Sequence, residues 1–271
     1  MIDNEKNIAF WDREAQRSQS NKKGFAGMLM SGREFEAIYR CEAEQDRFLT
    51  LFTSTPTARV LEVGSGGGRW GFFLADKIGE YIGIDISPSM IAVAEQERKG
   101  RNLSNVRFEC RNLLDFETSQ KFDLVYFSGV LQYMDDDVVA KCIAMAASLL
   151  NSGGMVISRD SVQMDRRVEK AGEYPVIFRT QAEYRTLYER EGFALDESGL
   201  SYQHKRFTIL ASKLYGLPGV TYKMAYAFRE VLCLLDDALG NPGLLKTGKH
   251  KKELEKDNLQ EHRFFKYVRR E

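Results

Sequence analysis

The stretch VLEVGSGGGRWG, from Val60 to Gly71, joins an apolar strand to a glycine-rich loop. Glu62 lies inside the strand, and glycines occupy five of the eight positions from 64 to 71. Glycine allows positive φ angles and lets a ligand lie close against the backbone. A loop of this kind between a strand and a helix predicts a site for a nucleotide-type cofactor at the carboxyl end of the strand.

Strand and helix patterns alternate from this stretch to about residue 213. Strands are predicted at ARVLEV (58–63), YIGIDI (81–86), VRFEC (106–110), FDLVYF (122–127) and MVISR (155–159), with FALDES (193–198) and RFTILASK (206–213) as a final pair. Ser87-Pro88 predicts the start of one intervening helix, and Thr180 with Glu183 forms a capping box at another. This alternation predicts a doubly wound α/β fold with a mostly parallel sheet.

Two cofactors fit the glycine loop, and Glu62 discriminates between them. Read from Gly66, the string GGGRWG satisfies G-x-G-x-x-G, the fingerprint of dinucleotide-binding oxidoreductases. In those proteins a pyrophosphate binds at the loop, and an acid in the preceding strand would repel it. Read from Glu62, the stretch offers a carboxylate to an ammonium group and backbone amides to a carboxylate. Glu62 therefore favours S-adenosylmethionine over a nicotinamide dinucleotide.

The stretch resembles the first motif of class I S-adenosylmethionine-dependent methyltransferases, and further motifs of that family follow in order over residues 58–213. Asp85 ends the second strand, where the family's acid binds the ribose hydroxyls. FDLVYFSGVLQYM (122–134) resembles the fourth motif, which passes beneath the methionine and sulfonium groups. The resemblance implies a Rossmann-like, seven-stranded sheet with an antiparallel last strand, S-adenosylmethionine as the cofactor and methyl transfer as the reaction.

The resemblance also implies a set of residues that contact the cofactor. These are Glu62, Gly64, Ser65, Gly66, Gly68, Asp85, Ile86, Asn112, Leu113, Ser128 and Gly129. The adenine turn, CRNLLDF (110–116), departs from the family's usual Gly-Asp pair. The Asn112 amide can still pair with adenine, and Leu113 is expected to pack on the adenine face. A simple turn asparagine is the alternative for position 112.

Composition limits the acceptor and the cellular setting. The 39 basic and 39 acidic residues give a net charge of zero, which favours neither nucleic acid nor an anionic membrane. FSGV after the fourth strand also differs from the Asn/Asp-Pro-Pro-aromatic run of methylases that act on nucleic-acid amines. A small acceptor, sugar-like or anionic and methylated on oxygen or nitrogen, is therefore expected. Four dispersed cysteines and three histidines show no metal-ligand spacing, so a metal-independent mechanism is expected.

Candidates for proton transfer lie near the predicted carboxyl ends of the strands. Asp160 is either a base or the counter-ion of Arg159. His204 titrates near neutrality but is also compatible with a structural role, and Tyr133 is either a site residue or core packing. These three are the catalytic candidates. Three further residues are candidates for acceptor binding, the arginines toward an anionic group such as a phosphate: Arg159, Arg179 and Tyr202.

The flanks predict a three-part organisation: a helical N-terminal cap (1–57), the methyltransferase core (58–215) and a helical C-terminal extension (216–271). The tail beyond 246 is expected to be a solvated helix, with contact to an anionic surface as the alternative. An apolar run long enough to span a membrane and a signal-peptide core are both absent, so a cytoplasmic location is expected. An NAD(P)-dependent oxidoreductase and a non-catalytic S-adenosylmethionine-binding partner remain open as alternative functions, and so does the oligomeric state.

Overall fold

The structure, a computed structural model, describes residues 2–20, 34–202, 205–238 and 260–270. Its main sheet comprises β1 (Arg59–Val63), β2 (Glu80–Asp85), β3 (Val106–Cys110), β4 (Phe122–Ser128), β5 (Leu150–Gln163), β8 (Phe193–Leu200) and β9 (Gln260–Arg269). Two short strands, β6 (Val168–Lys170) and β7 (Val176–Phe178), pair separately. The described helices are α1 (Asn4–Ser20), α2 (Glu34–Leu51), α3 (Arg69–Leu74), α4 (Pro88–Gly100), α5 (Asp136–Leu149), α6 (Gln181–Arg190), α7 (Lys205–Tyr215) and α8 (Tyr222–Ala238).

The strand order in the main sheet is β3-β2-β1-β4-β5-β9-β8. The first five strands in this order pair in parallel, and β9 pairs antiparallel with both β5 and β8. The predicted seven-stranded Rossmann-like sheet with an antiparallel last strand is thus confirmed. Strand order reverses between β1 and β4, so the carboxyl ends of these two strands border the crevice in which such sheets bind ligands.

Two apolar layers cover the sheet. One, here called the α2 face, packs Phe48 of α2 and Trp70 of α3 against sheet residues such as Ile157. The other, the α6 face, packs Tyr184 and other residues of α5 and α6 against sheet residues such as Val156. Because side chains alternate along a strand, consecutive residues of β5 face opposite layers.

Local sequence signals account for several helix starts. The Ser87 hydroxyl accepts a hydrogen bond of 3.1 Å from the Met90 amide, with proline at the first helical position of α4. The capping box predicted from Thr180 and Glu183 is present at the start of α6. Both helices begin where the sequence predicted, because each has a local side-chain cap that satisfies a backbone amide of its first turn.

Two predictions about the C-terminal part are wrong. RFTILASK lies in helix α7, where Phe207 and Ala211, four residues apart, are buried on one helical face. The predicted helical extension instead ends in strand β9, which lies between β5 and β8 in the main sheet. Basic residues such as Lys266, which pairs with Asp196 at 2.9 Å, obscured the strand pattern. Both flanking strands come from distant sequence, so no local signal specified the pairing.

Helix α1 lies within the predicted helical N-terminal cap (1–57). Asp12 on α1 accepts hydrogen bonds from the Ser87 hydroxyl (2.5 Å) and the Ser89 amide (3.1 Å), at the start of α4. Phe10 stacks on Tyr174 with ring centroids 4.5 Å apart. These contacts place α1 over the carboxyl ends of the strands, beside the glycine loop.

Candidate active site

The glycine loop has the backbone conformation that the sequence predicted. Gly64 and Gly68 take φ angles of 79° and 85°. A Cβ atom at Gly64 would lie 2.8 Å from Cβ of Val130, and one at Gly68 would lie 2.6 Å from Cζ of Phe108. Both positions therefore require glycine for conformation and for space. Gly66 also has a positive φ, and its added Cβ would meet nothing within 4 Å.

Glu62 is fully buried on the α2 face, at the strand end that leads into this loop. The Tyr81 hydroxyl donates a hydrogen bond to its Oε2, whereas Oε1 is buried without a hydrogen-bond partner among the described residues. Burial raises the pKa of Glu62 to about 8. The unpartnered oxygen of this buried carboxyl can accept a hydrogen bond from an ammonium group, so Glu62 fits the methionine end of S-adenosylmethionine.

Asp85, at the end of β2, is hydrogen-bonded to the loop. It accepts from the Gly66 amide through Oδ2 and from the Ser87 amide through Oδ1, both at 2.9 Å. Burial raises its pKa, against the lowering effect of these backbone donors. Each carboxylate oxygen has two lone pairs, so Asp85 can order the loop and still accept from the two hydroxyls of a ribose.

The residues expected at the adenine position divide into two groups. Asn112 is exposed, and its side-chain oxygen accepts from the Leu114 amide at 3.0 Å, which caps a short 3₁₀ helix. Leu113 is 2% exposed and packs in the α6-face core, so the structure gives its expected packing on adenine no support. Ile86, next to Asp85, and Leu114, in the adenine turn, are 36% and 39% exposed and offer apolar surface instead. The leucine that faces outward in this turn is thus Leu114, one position after Leu113.

The loop after β4 meets the glycine loop. Ser128 ends the strand, and Gly129 follows with a φ of 70°. The close approach of Val130 to Gly64 brings this loop against the start of the glycine loop. Ser65 of the glycine loop packs toward Gly83 of β2, and its hydroxyl is buried and unpartnered among the described residues. The predicted cofactor residues from β1 and β4 are therefore brought together at the switch point.

Arg159 and Asp160 are consecutive in β5 and face opposite layers. The Arg159 guanidinium binds Glu44 of α2, with Nη2 2.7 Å and Nε 3.0 Å from Oε1. Asp160 faces the buried Tyr184 on the α6 face, and burial raises its pKa to about 7. Asp160 is therefore not the counter-ion of Arg159, and its side chain is enclosed between the sheet and α6. The geometry gives no support to Asp160 as a base at the crevice.

Arg179 positions the short helix after β4 that carries Tyr133. Arg179 is fully buried and donates to the backbone oxygens of Leu131 (2.9 Å) and Met134 (2.7 Å) and to Asp136. This holds the short helix that carries Tyr133, and it assigns Arg179 a structural role. Tyr133 packs edge-on against Trp11 of α1, with ring centroids 5.9 Å apart. Burial raises the pKa of Tyr133 to about 12, so its phenol donates and does not act as a base near neutral pH.

One histidine that the sequence analysis did not select lies on the site side of the sheet. His262 of β9 pairs in register with Ser161, and its Nδ1 lies 2.9 Å from the Ser161 hydroxyl. Its ring stacks on Tyr202 at a centroid distance of 5.9 Å. By strand alternation His262 shares the face of Arg159. The segment HRFFKYV (262–268) carries apolar doublets on either side of Lys266, so no local alternation indicated this position. His204, the predicted candidate, lies outside the described residues.

Comparison with known proteins agrees with this geometry. The sequence profile of the family described as "Methyltransferase domain" matches residues 54–192, about half of the chain. The chain belongs to this methyltransferase-domain family. The match covers the glycine loop, Asp85 and the loop after β4, so the predicted recognition as a methyltransferase of class I type is confirmed, and the oxidoreductase interpretation of G-x-G-x-x-G is not supported.

Individual relatives of this methyltransferase-domain protein are distant. Phosphoethanolamine N-methyltransferase 1 of Triticum aestivum is 27% identical over 176 residues, which are 64% of this chain and 34% of the relative. The chain thus spans about a third of the length of that relative. A phosphoethanolamine N-methyltransferase 2 of Haemonchus contortus, solved with S-adenosyl-L-methionine, superposes with a TM-score of 0.59 at 16% identity, covering 85% of this chain and 53% of that one.

The same fold also occurs in a protein with a different reaction. The [4+2]-cyclase SpnF superposes with a TM-score of 0.60 at 16% identity and covers 83% of this chain and 80% of its own. At these identities the likeness shows the fold alone. Within the described part of the chain, none of the helices has the length and apolar character that crossing a membrane requires.

Proposed function

We propose that this methyltransferase-domain protein transfers a methyl group from S-adenosylmethionine to an oxygen or nitrogen of a small, anionic or sugar-like molecule. The observation that carries the proposal is Glu62, a buried carboxyl with an unpartnered oxygen beside a loop of glycines with positive φ. A cationic amine satisfies that oxygen, whereas a pyrophosphate would be repelled once Glu62 ionises. The family match supports the same assignment.

The residues around the crevice have distinct roles in this proposal. Glu62 binds the ammonium group, Asp85 binds the ribose hydroxyls, and Ile86 with Leu114 forms an apolar wall for the adenine. Gly64, Ser65, Gly66 and Gly68 leave space along the backbone, and Ser128 with Gly129 lines the crevice on the β4 side. When bound, the cofactor supplies an electrophilic methyl group and a good leaving group, so the chain has to align the acceptor and exclude water.

A hydroxyl or ammonium acceptor must also lose a proton. We assign that proton to His262, because its ring lies on the face of Arg159 and is held through Nδ1 by the Ser161 hydroxyl. Tyr133 and Trp11 form the opposite, aromatic wall. A small-molecule acceptor, the absence of a nucleic-acid partner and a cytoplasmic location remain part of the proposal. The charge balance of the sequence supports the absence of a nucleic-acid partner.

Calorimetric titration of the whole chain tests the cofactor. We expect S-adenosylhomocysteine to bind and NAD(H) not to bind; the reverse would contradict the proposal. Asp85→Ala is expected to weaken binding by about 1–3 kcal/mol, through loss of charge-assisted hydrogen bonds to the ribose. Asp76→Ala, at an exposed aspartate, is the control and should bind as wild type. An unchanged affinity in folded Asp85→Ala would remove the ribose assignment.

Transfer itself is tested by methyl release onto a panel of acceptors, from anionic amines such as phosphoethanolamine to hydroxylated sugar phosphates. We expect methylation of at least one anionic member and a strong loss of rate in His262→Ala with cofactor affinity retained. A protein that binds the cofactor and methylates none of a broad metabolite extract would instead be a non-catalytic binding partner or, like SpnF, a protein with another reaction.

A further inference from the structure

A buried carboxylate on α2 gathers three guanidinium groups from three different elements. Glu44 is fully buried. Its Oε1 lies 3.0 Å from Nε of Arg40 and 2.7 Å from Nη2 of Arg159, and its Oε2 lies 2.7 Å from Nη2 of Arg69. We call these four residues the Glu44 cluster. It joins α2, α3 and β5 directly beside the glycine loop.

The Glu44 cluster holds more positive than negative charge. Burial alone would raise the pKa of Glu44, but Arg159, Arg40 and Arg69 hold it well below its usual value, so the carboxylate is ionised. Arginine stays protonated in proteins. Even if Arg40 is left out, two guanidinium groups that are at most 13% exposed share one carboxylate. Buried charge without a counter-ion is costly, so this arrangement favours an additional anion.

Two further observations indicate where that anion binds. Nη1 of Arg69 is buried without a hydrogen-bond partner among the described residues. Nη1 of Arg159 would lie 3.6 Å from a Cβ atom at Gly129, so this guanidinium reaches the loop after β4 at the switch point. Burial and the neighbouring Arg40 lower the pKa of Arg159, as expected where cations lie close together.

Aromatic side chains frame the same space. The guanidinium of Arg40 lies 6.0 Å from the ring centroid of Tyr202. Burial raises the pKa of Tyr202, and Arg40 and Arg159 oppose that rise. Arg159 and Arg40 also lower the pKa of Tyr133, against the rise that burial causes. The positive charge of the Glu44 cluster therefore acts on both Tyr202 and Tyr133.

We propose that the Glu44 cluster is an oxyanion subsite that binds a phosphate or carboxylate group of the methyl acceptor. Arg159 and Arg69 donate to the oxyanion, since guanidinium groups match such oxygens in a bidentate manner, and Glu44 fixes their orientation. This proposal rests on the proposed function and narrows its acceptor to anionic molecules. The carboxylate of the cofactor has the same chemistry, so the experiment separates the two sources.

The test uses the whole chain saturated with S-adenosylhomocysteine and titrated with inorganic phosphate at constant ionic strength. We expect saturable phosphate binding to the wild type and an affinity about tenfold or more lower in Arg159→Gln, through loss of a charged hydrogen-bond donor. Arg159→Lys should fall between the two. Arg185→Gln, which removes an exposed guanidinium from a surface pair with Glu189, is the matched control and should bind phosphate as wild type.

A second arm measures cofactor affinity in the same variants. We expect unchanged binding of S-adenosylhomocysteine and of 5′-methylthioadenosine, which lacks the carboxylate. If Arg159→Gln weakened only the former, the oxyanion would be that of the cofactor and the acceptor subsite would be overturned. A wild type that binds S-adenosylhomocysteine but not phosphate also overturns the subsite and leaves the proposed function intact. Absence of S-adenosylhomocysteine binding contradicts the proposed function instead, and phosphate titration of the protein alone still tests the subsite.

Discussion

Glu44 and Glu62 lie on the same face of the sheet, and both side chains are fully buried. Three guanidinium groups surround Glu44 and keep its pKa well below the usual value. Glu62 has the Tyr81 hydroxyl as its partner, and burial raises its pKa to about 8. Arg69 connects the two regions, because it binds Glu44 directly and lowers the pKa of Glu62 through its charge.

The difference shows how one buried layer can prepare for two ligand charges. The region of Glu44 has an excess of cations and suits an anion, whereas Glu62 forms no direct ion pair among the described residues and suits an ammonium group. In each region a ligand of opposite charge would satisfy the buried groups. Without that ligand, these unsatisfied groups lower the stability of the folded protein. Burial alone does not determine the state of a buried carboxyl; the number of cations in contact with it does.

The largest effect is expected from Glu44→Gln. Removal of the shared carboxylate leaves the three guanidinium groups of the Glu44 cluster without their common counter-ion. We expect a loss of about 3–5 kcal/mol in the free energy of unfolding, measured by urea denaturation at pH 7. Glu97→Gln, which breaks a surface pair with Arg101, should cost less than about 1 kcal/mol.

The same variant probes the charge excess itself. Phosphate should stabilise Glu44→Gln more than wild type, because the anion then balances three cations. Acid should also separate the two proteins: the stabilising effect of Glu44 is present above pH 4.5 and lost as pH falls below it, since its folded-state pKa is depressed. A stability loss no greater than that of Glu97→Gln would show that the two regions do not differ in the way proposed.

The second prediction is that Glu62→Gln stabilises the folded protein, whereas Glu44→Gln destabilises it. The pKa of Glu62 rises from 4.5 to about 8 on folding. Between these values the unfolded chain is ionised and the folded chain is not, so stability is lost as pH rises through this window. Glu62→Gln should remove that loss and increase the free energy of unfolding by about 2–4 kcal/mol at pH 8.5, with little change at pH 4.5.

Although Glu62→Gln should increase the free energy of unfolding, it should lower the affinity for the cofactor. If Glu62 binds the ammonium group, wild-type protein releases a proton from Glu62 when S-adenosylhomocysteine binds. Calorimetry in buffers of different ionisation heat should detect this release, and it should be smaller in Glu62→Gln, together with a lower affinity. Equal affinity of wild type and Glu62→Gln for S-adenosylhomocysteine would show that Glu62 does not bind the cofactor. The proposed contrast between Glu44 and Glu62 as ligand-binding regions would then fail.

The sequence could predict the cofactor side of the site because it depends on local patterns. Glu62, the glycines and Asp85 belong to one β-α-β segment, and their spacing specifies their positions. The acceptor side depends on distant partners. Glu44 pairs with Arg159, 115 positions away, and Ser161 with His262, 101 positions away. No periodicity within α2 or β9 indicates those contacts, so the sequence selected Asp160 and His204 where the structure places Glu44 and His262 on the site side.

The orientation of single side chains at turns was also beyond local patterns. Leu113 and Leu114 are equivalent in sequence, but the 3₁₀ helix that Asn112 caps turns the first into the core and the second outward. The strand β9 was missed for a related reason, since its charged residues are paired only in the assembled sheet. The fold class and the glycine loop can thus be predicted from the sequence. Which helix packs against each face of β5 can be determined only from the tertiary structure.

The smallest effect is expected from Asp160→Asn, a third buried carboxyl that serves as the reference for the other two. Burial raises its pKa from 3.8 to about 7, so stability is lost as pH rises through that range. The variant should gain about 1–3 kcal/mol in the free energy of unfolding at pH 8, and exposed Asp165→Asn should not. Because Asp160 faces α6, binding of S-adenosylhomocysteine and of phosphate should match wild type. A stable Asp160→Asn protein that binds both but no longer methylates an acceptor would restore Asp160 as the base and assign the α6 face, not the α2 face, to the chemistry.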